Sequence, residues 1–475
     1  MSLTQATADA EADAPLTLRQ GVSLAATVIV PVVVWFAPLG LAAPTHHGLA
    51  IMFFMLTAWI SESLDYSVAG LIGCFLYWAL HVVRFNVAFS GFVNTTAWFI
   101  FGAILIGQIA TKSTIARRIA NAVMLRIGTS YSRLLLGLIL TDFLLTFIVP
   151  SGISRLVIMA AIALGLVETF ELKKGSNIAR GMFLVLTYTA VFFDKFILAG
   201  AASITARGLM EKAGVTISYS QWFAAFAPLD IITVIACWLL TLWMFPPERA
   251  DLAGGRVYLE RQRANLGGWK RIDTRAALLL GSALLLWVTD FLHGIPAPVV
   301  GLGVALVALL PRIGVLTIED VRKTNLMPFF FVAAAVSMGS VLSVTKGLDI
   351  ISSLVFGWML PLMQNSFLST TVLYWFAFLY HFFLASEIPM MTTSIPPLMN
   401  FATSHGLSPT VLGLTWAFAA GGKLFAYQSA VTMIGYSYGY FSAWDMVKLG
   451  FVLTVLEWLL LLLVVPFYWP LIGIG

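Results

Sequence analysis

Two cysteines in 475 residues, Cys74 and Cys237, both inside apolar runs, exclude a disulfide framework and a cysteine-built metal centre. Charge is as scarce. Asp, Glu, Lys and Arg make up 10% of the chain, well below the roughly 25% of a soluble domain, so the surface of a water-borne globule could not be built. No His/Asp cluster at metal-binding spacing occurs, so an enzyme is not expected. Residues 1–17 carry Asp9, Glu11 and Asp13 and lack a basic start, so residues 1–20 read as a disordered cytoplasmic tail rather than a signal peptide. The alternating pattern of an outer-membrane barrel is also missing.

What is there is apolar. Hydrophobic residues are 60% of the chain and the mean hydropathy is +0.93, which defines an all-α polytopic membrane protein. The net charge of +5 belongs to loops on the cytoplasmic side of a membrane, and no nucleic-acid partner is read from it.

Residues 131–168 organise the rest. This apolar stretch is broken at Pro150, Ser151, Gly152, Ile153, Ser154 and Arg155, leaving arms of about 16 to 19 residues, short of the ~20 that span a bilayer. A re-entrant hairpin is expected, with its tip in protein or against a water-filled cavity, where broken backbone is tolerated. The pattern recurs at 366–403, with Ser386, Glu387, Ile388 and Pro389 at the turn. Ser-x-Ile marks both tips. Thr111-Lys112 stands 40 residues before the first tip and Thr345-Lys346 stands 41 before the second. Ser220 to Trp222 and Ser442 to Trp444 follow the two hairpins. Interrupted apolar segments at matching places in two halves point to the binding site of a secondary transporter.

Along the chain, apolar runs at 21–41, 49–63, 67–83 and 95–110 precede an amphipathic stretch at 112–128, in which Ile115, Ile119, Val123 and Leu125 share a face. That stretch carries Lys112, Arg117, Arg118 and Arg126 and no acid, whereas its counterpart at 346–363 has only Lys346 and Asp349, so the two are expected on opposite sides of the membrane. Broken helices are expected at 181–210 and 408–436. A first membrane half at 21–245 and a second at 276–475 are joined by a basic linker at 246–275. The total is about 11 transmembrane helices plus two re-entrant hairpins in an inverted repeat, with the N-terminus cytoplasmic.

The order of parts, together with WVTDFLHGIPAPVVGLGVALV at 287–307, TIEDV at 317–321 and GYFSAWDMVKLG at 439–450, resembles the divalent anion/sodium symporter family over about residues 45–470. The resemblance implies a homodimer in a bacterial plasma membrane that moves small carboxylate or sulfate anions by an elevator-type mechanism. It also implies substrate and sodium sites at Ser-Asn-Thr motifs on the tips and Thr-Pro-Pro-Asn-like motifs in the broken helices. Here those motifs are altered. Ser151-Gly152-Ile153 and Ser386-Glu387-Ile388 stand at the tips, with Gly200 to Ile204, including Ser203, and Ser429 to Thr432 in the broken helices.

Six ionisable residues fall inside apolar segments near the breaks: Asp142, Arg155, Asp194, Lys195, Glu387 and Lys423. At about 2.5 to 3.5 kcal/mol each at the bilayer centre, they must pair or face water. One reading gives Arg155, Lys195 and Lys423 to the anion, as fixed charges where relatives hold sodium, with Glu387 as a proton-coupling group. The other makes Asp142 with Arg155, and Asp194 with Lys195, structural pairs, Glu387 a helix cap and the serines caps. Candidate substrate-binding residues are therefore Ser151, Gly152, Ile153, Arg155, Ser203, Ser386, Glu387, Ile388, Ser429 and Thr432, and candidate charge-compensating residues are Asp194, Lys195, Glu387 and Lys423. The expected function is secondary active transport of a small anion (carboxylate, dicarboxylate, sulfonate or sulfate), coupled to a proton or a counter-anion rather than to sodium. A sodium-coupled dicarboxylate symporter and a cation/proton antiporter are the alternatives. No cofactor is expected beyond a coupling H+ or Na+.

Overall fold

The computed structural model describes residues 17–198, 200–249, 252, 254–384 and 386–475; residues 1–16 of the expected tail lie outside them. Among the described residues all regular structure is helical, with no strand. The first half runs α1 (Leu18–Phe36), α2 (Ala43–Ser61), α3 (Tyr66–Ala79), α4 (Thr95–Lys112), α5 (Ile115–Ile127), α6 (Tyr131–Thr146), α7 (Gly152–Thr169), α8 (Asn177–Phe196), α9 (Ala201–Lys212) and α10 (Tyr219–Met244). The second runs α11 (Gly255–Asn265), α12 (Arg271–Val288), α13 (Ala297–Val307), α14 (Met327–Val344), α15 (Gly347–Phe356), α16 (Ser366–Phe382), α17 (Glu387–Ser404), α18 (Pro409–Ala419), α19 (Ala430–Ser437) and α20 (Ala443–Leu463).

Side-chain caps fix where the helices start. Asp65 accepts the amides of Ser67 and Val68 at 2.8 and 3.2 Å, and Asn94 accepts that of Thr96 at 2.9 Å. Ser218 with Gln221 and Ser442 with Asp445 form reciprocal capping boxes at the heads of α10 and α20, satisfying amides that lipid could not. The Ser-x-Trp landmarks of the sequence are therefore helix starts, shifted by two residues between the halves.

Six helical stretches are long and apolar enough to cross a bilayer by length and composition: 95–112, 152–169, 177–212, 219–244, 327–344 and 443–468. Further apolar helices at 20–36, 66–79, 297–307, 347–362 and 409–419 are shorter, so helix length alone does not fix the expected count of about 11 crossings.

Three details differ from the sequence reading. Helix α1 begins at Leu18, behind a capping box of Thr17 and Gln20, inside what reads as tail. On α5 the buried face is Ile115, Ala116, Ala120, Asn121 and Met124, while Ile119, Val123 and Leu125 are half-buried. Small residues let α5 lie close on α6, and close packing outranks the stripe of larger side chains. The stretch 246–275 is not a plain linker either. Within it Gly255–Asn265 folds as α11 and docks on α5 and α7, burying Leu259 and seating Tyr258 against Gly165, where a Cβ would lie 1.9 Å from the phenol oxygen. Arg118 of α5 holds the following turn by donating to the carbonyls of Gly267 and Gly268 at 2.9 and 2.7 Å.

The packing brings the two halves together at their interruptions. α8 lies against α6, α7 and α10 and also reaches α19, while α9 lies along α17 of the other half. Two outer layers flank this centre, with α3 on α14 and α4 on α13. At the α4–α13 crossing the backbones nearly touch, since a Cβ on Gly102 would stand 2.8 Å from Gly301.

Candidate functional site

Four helix interruptions meet around one cavity of about 280 Å³. The first lies between α6 and α7 and presents Pro150, Ser151, Gly152 and Ile153; the second, between α8 and α9, presents Asp194, Ala201 and Ala202. From the other half come Ser386, Glu387 and Ile388 at the start of α17, and Ser429, Ala430 and Val431 at the start of α19. Ile100, Ala103 and Ile104 of α4, with Pro328, form an apolar wall that the sequence reading did not include.

In each case it is the N-terminal turn that faces the cavity. A helix start carries unpaired amides and the positive end of the macrodipole, equivalent to about +0.5 charge, so four of them contribute about +2, while the Asp194 and Glu387 carboxylates on the same wall are offset by Arg155 and Lys423 behind it. Backbone amides presented in this way favour an anionic ligand.

The site residues expected from sequence divide into two groups. Ser151, Gly152, Ile153, Ser386, Glu387, Ile388, Ser429 and Asp194 line the cavity. Arg155, Lys195, Lys423, Ser203 and Thr432 do not: each is turned into the protein behind the cavity wall.

Serine geometry explains part of this division. Ser203 donates to the carbonyls of Ile197 and Gly200 at 2.7 and 3.0 Å, and Thr432 donates to those of Ala426 and Ser429 at 2.8 and 2.7 Å, so both hold the backbone of a break. Ser151 accepts the amide of Ser154 at 3.3 Å, and Ser429 that of Val431 at 3.2 Å, as caps that also border the cavity. Ser386 makes no such cap bond.

Arg155 is fully buried, and each of its three side-chain nitrogens donates a hydrogen bond. Its Nε donates to Asp142 Oδ1 at 2.9 Å, and its Nη1 and Nη2 donate to the carbonyls of Val149 and Ala190, both at 3.0 Å. The guanidinium thus satisfies the carbonyls that the break leaves open, a task for a planar multi-donor group. Its Nη1 also stands 3.8 Å from Asp194 Oδ1, the same oxygen that accepts the Gly152 amide at 3.0 Å. Asp194 therefore faces Arg155 and the first tip, not its neighbour Lys195.

In the second half the matching contact has the opposite sign. Asp194 precedes Ser203 by nine residues and Lys423 precedes Thr432 by nine. Where Asp194 meets the residue after Ser151, Lys423 meets the residue after Ser386: its Nζ lies 2.6 Å from Glu387 Oε1. The ammonium also donates to the Ala420 carbonyl and stands 3.5 Å from His381 Nδ1. His381 Nε2 faces the Gln428 carbonyl at 3.0 Å, which only accepts, so the ring carries its proton on Nε2 and offers Nδ1 to the lysine. His381 thereby orients Lys423. Gln428 in turn accepts the amides of Leu424 and Phe425 at 2.7 and 2.9 Å and shapes the break.

Lys195 crosses to the other half. A Cβ on Gly421 would lie 1.7 Å from its ammonium, so only glycine leaves it room. Its Nζ stands 3.3 Å from Glu457 Oε1, 3.9 Å from Asp230 Oδ1 and 4.3 Å from the Phe418 ring centre. Asp230 and Glu457 are not among the residues expected from sequence, although each is a lone acid in an apolar run, because neither lies at a break.

A broken-helix core wrapped by apolar helices, with a dipole-lined cavity at its centre, defines a membrane carrier for small solutes. The chain belongs to the family described as the sodium:sulfate symporter transmembrane region, whose model matches residues 18–474. It is 26% identical to a membrane protein of Cupriavidus necator over 96% of this chain and 94% of that one. It is 24% identical to the L-tartrate/succinate antiporter of Escherichia coli (strain K12) over 80% of each chain. It is 25% identical to a putative malate transporter of Bacillus subtilis (strain 168) over 64% of this chain and 65% of that one. The resemblance carried by residues 287–307, 317–321 and 439–450 thus holds across nearly the whole sequence.

Proposed function

We propose that the protein is a secondary active transporter of small dicarboxylates, bound in the cavity between the four interruptions. The observation that carries this reading is the convergence of four helix N-termini on one cavity whose lining includes no lysine or arginine. The four helix starts contribute about +2, which favours a dianion once the wall carboxylates of Asp194 and Glu387 are offset by Arg155 and Lys423. Relatives named for tartrate, succinate and malate point to the same class.

The helix–break–helix pairs 131–168 and 366–403 act as re-entrant hairpins of an inverted repeat in this reading. They and the broken helices travel together in a plasma-membrane homodimer of elevator type, with the N-terminus cytoplasmic. The apolar wall from α4 supports a sliding boundary, since it offers the moving parts no polar contact to break.

Sodium coupling in the family's manner is disfavoured because the second tip already holds a cation, the Lys423 ammonium on Glu387. A sodium-coupled dicarboxylate symporter is the second reading, favoured by the family's description and by Asp194, a carboxylate on the cavity wall without an ammonium of its own. A thermal-shift screen of the purified protein against succinate, malate, tartrate and sulfate, with sodium or choline as the cation and at two pH values, decides between them. Stabilisation by a dicarboxylate in choline supports the first reading. Stabilisation only in sodium selects the second, and none by any anion overturns both.

A further inference from the structure

The buried charges do not balance. Behind and around the cavity stand five carboxylates, Asp142, Asp194, Asp230, Glu387 and Glu457, and three basic groups, Arg155, Lys195 and Lys423. Lys423 serves Glu387 alone, whereas Arg155 and Lys195 each stand between two acids. The Arg155 group is well provided for: Asp142 takes a direct bond, and Asp194 takes the Gly152 amide and is open to the cavity. The Lys195 group is not.

Asp230, on α10, is fully buried, and neither of its oxygens has a hydrogen-bond partner among the described residues. Glu457, on α20, takes the nearer contact from Lys195, and its Oε2 stands 3.2 Å from the Tyr374 hydroxyl. That phenol has one hydrogen, and the Thr454 carbonyl at 2.8 Å competes for it. Two carboxylates thus share one ammonium in a site shut off from water, where two like charges cannot both persist. The ammonium itself fills the space between them, which leaves no room for a metal ion.

We propose that Asp230, Lys195 and Glu457 form a proton-binding site, with one exchangeable proton held over the two carboxyls, and that it couples proton movement to anion movement. The proposal rests on the transporter reading above. The proton comes from the water on the side where the anion loads, forms an O–H on one carboxyl, and leaves to the water on the other side. Lys195 answers it by leaning toward whichever acid remains ionised. Its neighbour Asp194 borders the cavity and its own carbonyl is held by the Trp222 indole at 2.8 Å, so a shift at the end of α8 on anion binding is carried to the ammonium.

Other titratable groups nearby are already engaged. Tyr188 of α8 donates to the Lys423 and Met446 carbonyls, Cys237 of α10 is a buried thiol, Asp142 of α6 is held by Arg155, and Lys423 lies on Glu387. At the head of α10, Asp290 accepts the amides of Tyr219 and Ser220, and Asp273 of α12 accepts that of Thr114.

The test uses the full chain in liposomes with succinate, above pH 7, where a dicarboxylate is doubly ionised, and with the membrane potential clamped at zero. One coupled proton then supports about tenfold accumulation per unit of pH gradient. Wild type is expected to accumulate succinate down that gradient. Asp230→Asn and Glu457→Gln are each expected to bring accumulation down to the external level while succinate still stabilises the protein in a thermal-shift measurement. Accumulation by both variants equal to that of wild type overturns the proposal. So does wild-type uptake that ignores the gradient, a result that needs no variant to fold. Failure of the transporter reading looks different, because no anion then stabilises the wild type at all.

Discussion

Replacing Lys423 by methionine keeps an unbranched side chain, one atom shorter, and removes its charge. In the intact protein the ammonium sits 2.6 Å from Glu387 Oε1, with relative side-chain exposures of 0% and 9%. At an effective dielectric constant of about 20, a pair at that separation is attracted by roughly 6 kcal/mol, most of which offsets the desolvation of the two ions. Removing one partner strands the other. Glu387 is left charged beside a helix start, while the Ala420 carbonyl and His381 Nδ1 lose their donor. The expected loss is about 3 to 5 kcal/mol. Unfolding entropy of about 2.1 cal/mol/K per residue gives about 1 kcal/mol/K for a chain of this length, so the unfolding midpoint should fall by about 3 to 5 °C. The assay is thermal unfolding in detergent at a fixed scan rate, on Lys423→Met, Glu387→Gln and the double variant. The double variant should recover more than half of the single variant's loss, because it leaves no stranded charge. An unchanged midpoint in Lys423→Met, or a double variant whose losses simply add, would refute the pairing.

Further outcomes are expected. Arg155→Ala should lower the midpoint by an amount similar to Lys423→Met, since it strands Asp142 and opens the carbonyls of Val149 and Ala190; an unaltered midpoint together with lost succinate binding would return Arg155 to the anion. Ser386→Ala, lacking a cap bond to lose, should change stability by no more than about 0.5 kcal/mol and weaken the succinate-induced shift, whereas Ser151→Ala should cost about 1 kcal/mol of stability as well. Gly421→Ala places a methyl where the Lys195 ammonium lies and should cost about 1 to 3 kcal/mol by overpacking, read by the same unfolding assay.

Much of the fold was legible in the sequence because its punctuation is local. Pro150 and Gly152 interrupt an apolar run, and Ser176, Ser218, Asn365 and Ser442 stand where helices begin. The lining at Ser151 and Ser386 follows from the same breaks. The partners of the charges were not legible, because they are set across the chain. Asp142 and Arg155 are 13 residues apart and meet only because α6 lies beside α7, while Lys195 finds Glu457 from 262 residues away. Adjacent Asp194 and Lys195 invite pairing on paper, yet successive helix positions point in different directions, and the two side chains serve different clusters.

The exchange of sign between Asp194 and Lys423 gives the two ends of the cavity unlike characters even though their backbones are alike. A passenger with two identical carboxylates would gain nothing by turning round, but one with a charged head and a neutral tail would meet a preferred way in, seated head away from Asp194 and toward the Glu387 tip, whose charge the Lys423 ammonium offsets from behind the wall. Discrimination between symmetric and lopsided solutes can then arise from polarity along a single axis.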